Sequence, residues 1–194
     1  MTRIIGGSAG GRRLEAPRGS NTRPTSDRVR EALFSAVESW CGSWQGLRVL
    51  DLYAGTGAVG LEAISRGAEE AILVEQDRRT AELIGRNART LGFAQARVVT
   101  ASVATYLGQS EPVPCHVVFL DPPYPLANDR VADDLALLVD RGWLGDDALV
   151  VVERSKRGGL PAWPVGISPL RERKYGETVL GYGHAAPDTS TSGE

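Results

Sequence analysis

The chain has 194 residues, 42% apolar and 24% charged, with 22 basic against 24 acidic side chains and a formal net charge of −2; that balance predicts one main globular domain and excludes a fibrous or low-complexity chain. Two distant cysteines, Cys41 and Cys115, without a Cys-x-x-Cys pair argue against a disulfide scaffold or a zinc site and fit a reducing cytosol. With no apolar h-region at the start and no run approaching the roughly 18 apolar residues of a membrane span, the expectation is a cytoplasmic protein with no membrane segment and no metal.

Charge is unevenly spread. Residues 1–30 hold Arg3, Arg12, Arg13, Arg18, Arg23, Arg28 and Arg30 against only Glu15 and Asp27, an excess of +5 where the remainder carries −7. A basic front of this kind suits a polyanion, although a solvated terminal face would read the same way. Of the 22 basic residues 20 are arginine, so coding bias dilutes the signal.

Within that front, RIIGGSAGGRRLEAP places two short strands around the glycine-rich turn 6–11. We expect residues 1–24 to form a basic hairpin arm. From Thr25 or Ser26 a polar cap precedes Val29, Leu33, Phe34, Val37 and Trp40, whose spacings of three and four mark one helical stripe. Phe34 and Trp40 therefore read as core residues. The following segments alternate: strand 47–53, helix 58–67, strand 69–75, helix 77–92 stopped by Gly92, strand 97–100, a short helical piece at 103–108, strand 116–121, helix 130–142 and strand 147–154. Near-continuous apolar strands separated by helices predict a mostly parallel sheet covered on both faces. Two further strands, 165–170 and 177–182, around a charged turn bring the expected sheet to seven. The domain is expected to run over 25–183, with a small polar tail at 184–194.

The stretch DLYAGTGAVGLEA joins the first sheet strand to its helix. Gly55 and Gly57 permit a tight turn beneath a ligand, and Gly60 permits close packing of helix on strand. No Lys-Ser or Lys-Thr pair follows, which disfavours a phosphate-cradling loop. The next strand ends in Glu75, where a carboxylate can accept from both ribose hydroxyls of an adenosine cofactor. That suits NAD and S-adenosylmethionine alike. Asp51 separates them, since a carboxylate there repels a pyrophosphate but attracts an amino-acid ammonium, directly or through water. The blander reading is that both acids are solvated strand ends.

The fourth strand ends in DPPY, Asp121 to Tyr124. Ligands of doubly wound sheets bind outside the carboxyl ends of the strands, so this motif and the glycine loop can face one crevice. An exocyclic base amine is a poor nucleophile. It needs orientation and opposition to the positive charge it develops. Asp121 can accept one amine hydrogen, the Pro122 carbonyl the other if the stiff Pro122–Pro123 segment points it inward, and Tyr124 can stack on an extruded base. An ordinary Asp-Pro-Pro-Tyr turn is the alternative.

DLYAGTG with Glu75 resembles the cofactor pocket of class I S-adenosylmethionine-dependent methyltransferases, and DPPY resembles the motif of their amino-methylating members. RIIGGSAGGRRL, RPTSDRVREALFSAV and ERKYGET resemble the bacterial 16S ribosomal RNA guanine-N2 methyltransferase family, RsmD, over about residues 2–183. The resemblance implies a three-layer, Rossmann-like α/β fold with an N-terminal basic hairpin extension, S-adenosyl-L-methionine as cofactor, and methylation of one guanine, guanine 966, in 16S rRNA of a small ribosomal subunit or its assembly intermediate by a monomeric enzyme. It assigns Asp51, Tyr53, Gly55, Thr56, Gly57 and Glu75 to the cofactor and Asp121, Pro122, Pro123 and Tyr124 to the amine. After the third strand, where related enzymes place an aspartate on the adenine amine, this chain has Ala101, Ser102 and Val103; the Ser102 side chain or the Val103 amide would meet adenine instead.

Arg12, Arg13 and Arg23 are the candidate RNA-backbone contacts, whereas Arg28 and Arg30 can equally pair with acids on their helix. His116 lacks neighbouring ligands, so no catalytic or metal role is expected of it; no chemistry is assigned to Lys174 or Tyr175. Two rival functions share the motifs: a DNA adenine-N6 methyltransferase, and a non-catalytic RNA-binding or ribosome-assembly protein. Binding alone has no need of the amine-orienting DPPY, and a base-edge reader of DNA normally needs more recognition surface.

Overall fold

A computed structural model describes residues 2–19 and 26–186. The elements in chain order are β1 (Thr2–Arg3), β2 (Arg13–Leu14), α1 (Asp27–Cys41), β3 (Arg48–Leu52), α2 (Ala58–Ser65), β4 (Glu70–Glu75), α3 (Arg78–Leu91), β5 (Ala96–Thr100), α4 (Val103–Gln109), β6 (Cys115–Leu120), α5 (Asn128–Asp140), β7 (Leu144–Ser155), β8 (Ile167–Tyr175) and β9 (Thr178–Ala185). The predicted seven-stranded sheet is present, in the order β5-β4-β3-β6-β7-β9-β8. Its β5-β4-β3-β6-β7 part is parallel, and β9 pairs antiparallel with both β7 and β8.

Helices cover both faces because the inner strands are apolar on both sides. One face buries Val29, Leu33 and Phe34 of α1, Leu61 and Ile64 of α2 and Ile84 of α3. The other buries Tyr106 and Leu107 of α4, Leu135 and Leu138 of α5, and Trp143. The result is the three-layer, Rossmann-like α/β architecture. The Ser26 side chain caps α1 by accepting from the Val29 amide at 3.3 Å, as the polar cap before the stripe predicts.

β1 and β2 form the predicted antiparallel hairpin, with Thr2 opposite Leu14 and Arg3 opposite Arg13. The hairpin is docked rather than free. Glu62 of α2, wholly buried, accepts from the amides of Ile5 at 2.7 Å and Gly6 at 3.0 Å. Ile4 and Leu14 enter the same core as α1 and α2.

Sequence expectations need correction at several positions. Trp40, read as core, is 40% exposed at the C-terminal end of the α1 stripe; its indole N–H donates to the Asp147 carbonyl of β7 and its ring packs against His184 of β9. The charged run read as a turn is strand: Arg171 to Lys174 belong to β8, where an edge position exposed on both sides tolerates charge, and a register shift accommodates Pro169. Arg30 does pair with Asp27 of its own helix at 2.9 Å, as read, but its guanidinium is buried and also lies 3.9 Å from Glu62. β9 continues through His184 and Ala185, past the expected domain end. The rest of the expected tail, from 187, lies outside the described residues.

Candidate active site

The glycine loop begins where β3 ends. Tyr53 and Gly55 take positive φ angles of 59° and 58° and Gly57 one of 80°, so the chain reverses within five residues before α2. A Cβ at Gly60 would lie 2.6 Å from Leu73 Cδ2 and 3.2 Å from Asp51 Oδ2, which confirms the close helix-on-strand packing read from the sequence. Gly57 caps α2 with no side-chain hydrogen bond. The first-turn amides therefore leave a positive helix end at the loop.

Two carboxylates frame the loop. Glu75 Oε2 accepts the Gly55 amide at 3.0 Å and Oε1 the Asp77 amide at 3.0 Å. A carboxylate has about four lone-pair sites, so acceptor capacity remains for hydroxyls. Asp51 is only 1% exposed, and its Oδ2 accepts the Gly60 amide at 2.9 Å. Burial, opposed by the Gly60 hydrogen bond and reinforced by the Glu75 charge, pushes its pKa up to about 8. Asp51 thus lies beneath the loop rather than at a solvated strand end.

The β5–α4 turn joins this end of the pocket, since the Ala101 amide donates to the Glu75 carbonyl at 3.1 Å. Ser102 caps α4 by accepting from the Thr105 amide at 3.2 Å, which engages one of its two lone pairs and leaves its O–H able to donate. The Val103 amide is in the first turn of the same helix, where no intrahelical acceptor serves it.

DPPY stands next to the glycine loop because β6 and β3 are adjacent and parallel, with Leu52 opposite Leu120. The Asp121 amide approaches the Leu52 carbonyl at 3.4 Å. Pro122 is buried, whereas Tyr124 is 48% exposed. The Tyr53 hydroxyl donates to Asp134 of α5, and burial raises the pKa of both groups. Its side chain therefore braces the loop against α5.

Sequence reasoning missed two residues that hold these segments. Asn87 of α3 accepts the Glu15 amide at 2.8 Å and donates to the Glu15 carbonyl at 3.1 Å and the Thr56 carbonyl at 3.2 Å, linking the hairpin to the glycine loop. Arg154 of β7, 4% exposed, reaches the carbonyls of Pro122, Pro123 and Leu126. Burial lowers the Arg154 pKa, and the charges of Asp121, Tyr53 and Tyr124 oppose that shift. Neither residue had a sequence signal, because their partners are backbone atoms distant in the chain.

Among the candidate RNA contacts, Arg12 and Arg13 are exposed on the hairpin, and Arg12 donates to the Thr90 carbonyl at 2.9 Å. Arg23 lies outside the described residues. His116 is occupied structurally, its Nδ1 accepting the Arg48 amide at 2.9 Å. Among the described residues there is no cluster of metal-ligating side chains, and no helix is long and apolar enough to cross a membrane.

Residues 2–183 match the family model described as conserved hypothetical protein 95. Ribosomal RNA small subunit methyltransferase D of Escherichia coli K12 is 41% identical over 182 residues, covering 91% of this chain and 86% of the relative. A solved Escherichia coli structure described as a methyltransferase, yhhF, superposes with a TM-score of 0.84 at 36% identity, over 95% of this chain and 97% of its own. An RNA methyltransferase from Salinibacter ruber, solved with S-adenosyl-L-homocysteine, shares the fold with a TM-score of 0.64 at 16% identity, over 88% of this chain and 98% of its own.

Proposed function

The chain belongs to the conserved hypothetical protein 95 family and to that of ribosomal RNA small subunit methyltransferase D, and on that premise we propose that it transfers a methyl group from S-adenosyl-L-methionine to the N2 amine of one guanine, guanine 966, in 16S rRNA. The observation that carries the reading is the side-by-side placement of the glycine loop and DPPY at the ends of adjacent parallel strands.

The residues present fit the cofactor. Glu75 has acceptor capacity for the ribose hydroxyls, the Ala58 and Val59 amides at the start of α2 suit a carboxylate, and Asp51, which burial keeps largely protonated, would be driven toward its ionised form by an ammonium placed beside it. Ser102 and the Val103 amide offer polar contacts for adenine. When bound, the sulfonium cofactor supplies an electrophilic methyl group.

The protein's part is to present the amine. Asp121 accepts one amine hydrogen and opposes the positive charge that develops on nitrogen during attack. The Pro122 carbonyl already faces Arg154 at 3.4 Å, but a carbonyl has a second lone pair for the other amine hydrogen. Pro123 stiffens the segment, and Tyr124 stacks on the extruded base. Asp121 need not act as a strong base, because the amine loses its proton readily once methylated. Arg12, Arg13 and Arg23 contribute sequence-independent attraction to the RNA backbone.

Labelled S-adenosyl-L-methionine incubated separately with 16S RNA, small-subunit particles and DNA, followed by nucleoside identification, tests the reading. N2-methylguanine from the ribosomal substrates supports it. Methyladenine from DNA, or no transfer at all, would replace it with one of the rival functions.

A further inference from the structure

Between Asp121 and Leu126 the chain carries three prolines, Pro122, Pro123 and Pro125. Each lacks an N–H, so the segment is short of donors for its own carbonyls. One turn bond forms inside it, from the Leu126 amide to the Pro123 carbonyl at 2.9 Å. The rest of the demand is met from β7. Arg154 Nη1 lies 3.4 Å from the Pro122 carbonyl and 3.3 Å from that of Pro123, Nη2 lies 2.5 Å from the Leu126 carbonyl, and Nε donates to Asn128 Oδ1 at 3.0 Å. A planar guanidinium with five fixed donors can serve such a spread of acceptors; a single ammonium cannot.

We infer that Arg154 is the positioning residue of the amine-binding loop: its guanidinium fixes the direction in which Asp121, the Pro122 carbonyl and Tyr124 face the target base, without touching that base. The inference rests on the amine-methylation reading above. Its contacts run from the second residue of DPPY to the first residue of α5, so the loop is tied along its length rather than at one hinge. Asn128 extends the tie, since its Nδ2 donates to the carbonyls of Gly158 at 2.9 Å and Gly159 at 3.3 Å in the turn after β7. The cofactor residues belong to β3 and the loop after it, to the end of β4 and to the start of α4, and make none of these bonds. Loss of the clamp should therefore slow the chemical step and spare cofactor binding.

The test uses the full chain with Arg154→Lys, Arg154→Met and Arg154→Ala. Single-turnover methyl transfer to small-subunit particles is measured at saturating particle and cofactor, with cofactor affinity by calorimetry and folding by thermal melting. A misplaced reacting group can cost about 10²-fold, so Arg154→Met should lose roughly 10- to 100-fold in rate. Arg154→Lys should lose less, cofactor affinity should hold within about twofold, and millimolar guanidinium should restore part of the rate to Arg154→Ala but not accelerate the wild type. A folded Met or Ala variant at the wild-type rate, or a rate loss matched by the loss of cofactor affinity, overturns the inference. If those variants do not fold, Arg154→Lys decides, and a wild-type rate there overturns it equally. Failure of the wild type itself to methylate ribosomal RNA would defeat the underlying reading, and is seen before any substitution is made.

Discussion

Glu75 of β4 accepts the Gly55 amide at 3.0 Å, so the carboxylate proposed to bind ribose also holds the glycine loop against the neighbouring strand. The two roles can be separated by substitution. Glu75→Gln retains an acceptor for Gly55 but loses the charge, whereas Glu75→Ala loses both. Calorimetry should show weaker cofactor binding for Gln and still weaker for Ala. Unchanged affinity in a folded Glu75→Ala protein would remove the ribose assignment.

Asp51 predicts a pH dependence. Its folded-state pKa of about 8 lies above the ordinary 3.8, so between those values the folded protein holds a proton that the unfolded chain has released. Stability without cofactor should accordingly fall as pH rises through that window. Asp51→Asn removes this dependence. Thermal melts should show the variant gaining on the wild type from pH 5 to pH 8, while its cofactor affinity drops because asparagine cannot ionise beside the ammonium. A wild type that gains on the variant with rising pH would contradict the buried-carboxylate account.

Gly60 tests the packing of α2. A new Cβ there meets Leu73 Cδ2 at 2.6 Å, and overpacking of this kind costs about 1–3 kcal/mol. Gly60→Ala should lower stability by that order in denaturant unfolding and weaken the cofactor loop that α2 follows. Full stability would mean that Leu73 has room to turn aside.

The frame was legible because the inner strands are mostly apolar runs and α2, α3 and α5 stop at or next to a glycine. The loop and DPPY were legible because glycine and proline restrict the backbone strongly enough to announce a special conformation. Polar clamps were not. Glu62, Asn87 and Arg154 bind backbone atoms roughly 30 to 70 residues away, and no periodicity marks such pairing. Asp51 was placed correctly along the chain, but its depth depended on Gly60 bringing α2 over it. Charge misled in β8, where an edge strand carries Arg171 to Lys174 that elsewhere would mark a turn.

Arg12 and Arg13 lie exposed on a docked hairpin, so their proposed contribution is to RNA affinity. Replacing both with alanine should weaken RNA binding and flatten its dependence on salt, since fewer counterions are released. Cofactor affinity should be unaffected. An unchanged salt slope would identify the hairpin arginines as a solvated face.

The central claim, that Asp121 orients a guanine amine beside the cofactor loop, is tested most directly by single-turnover methylation of small-subunit particles with wild type and Asp121→Ala, read by mass analysis of released nucleosides. The account predicts N2-methylguanine from the wild type and a chemical step slower by about 10²–10³ in the variant, the cost of removing one preorganised transition-state partner, with cofactor binding largely retained. Near-normal turnover by Asp121→Ala, or a wild-type product methylated on adenine, would contradict it.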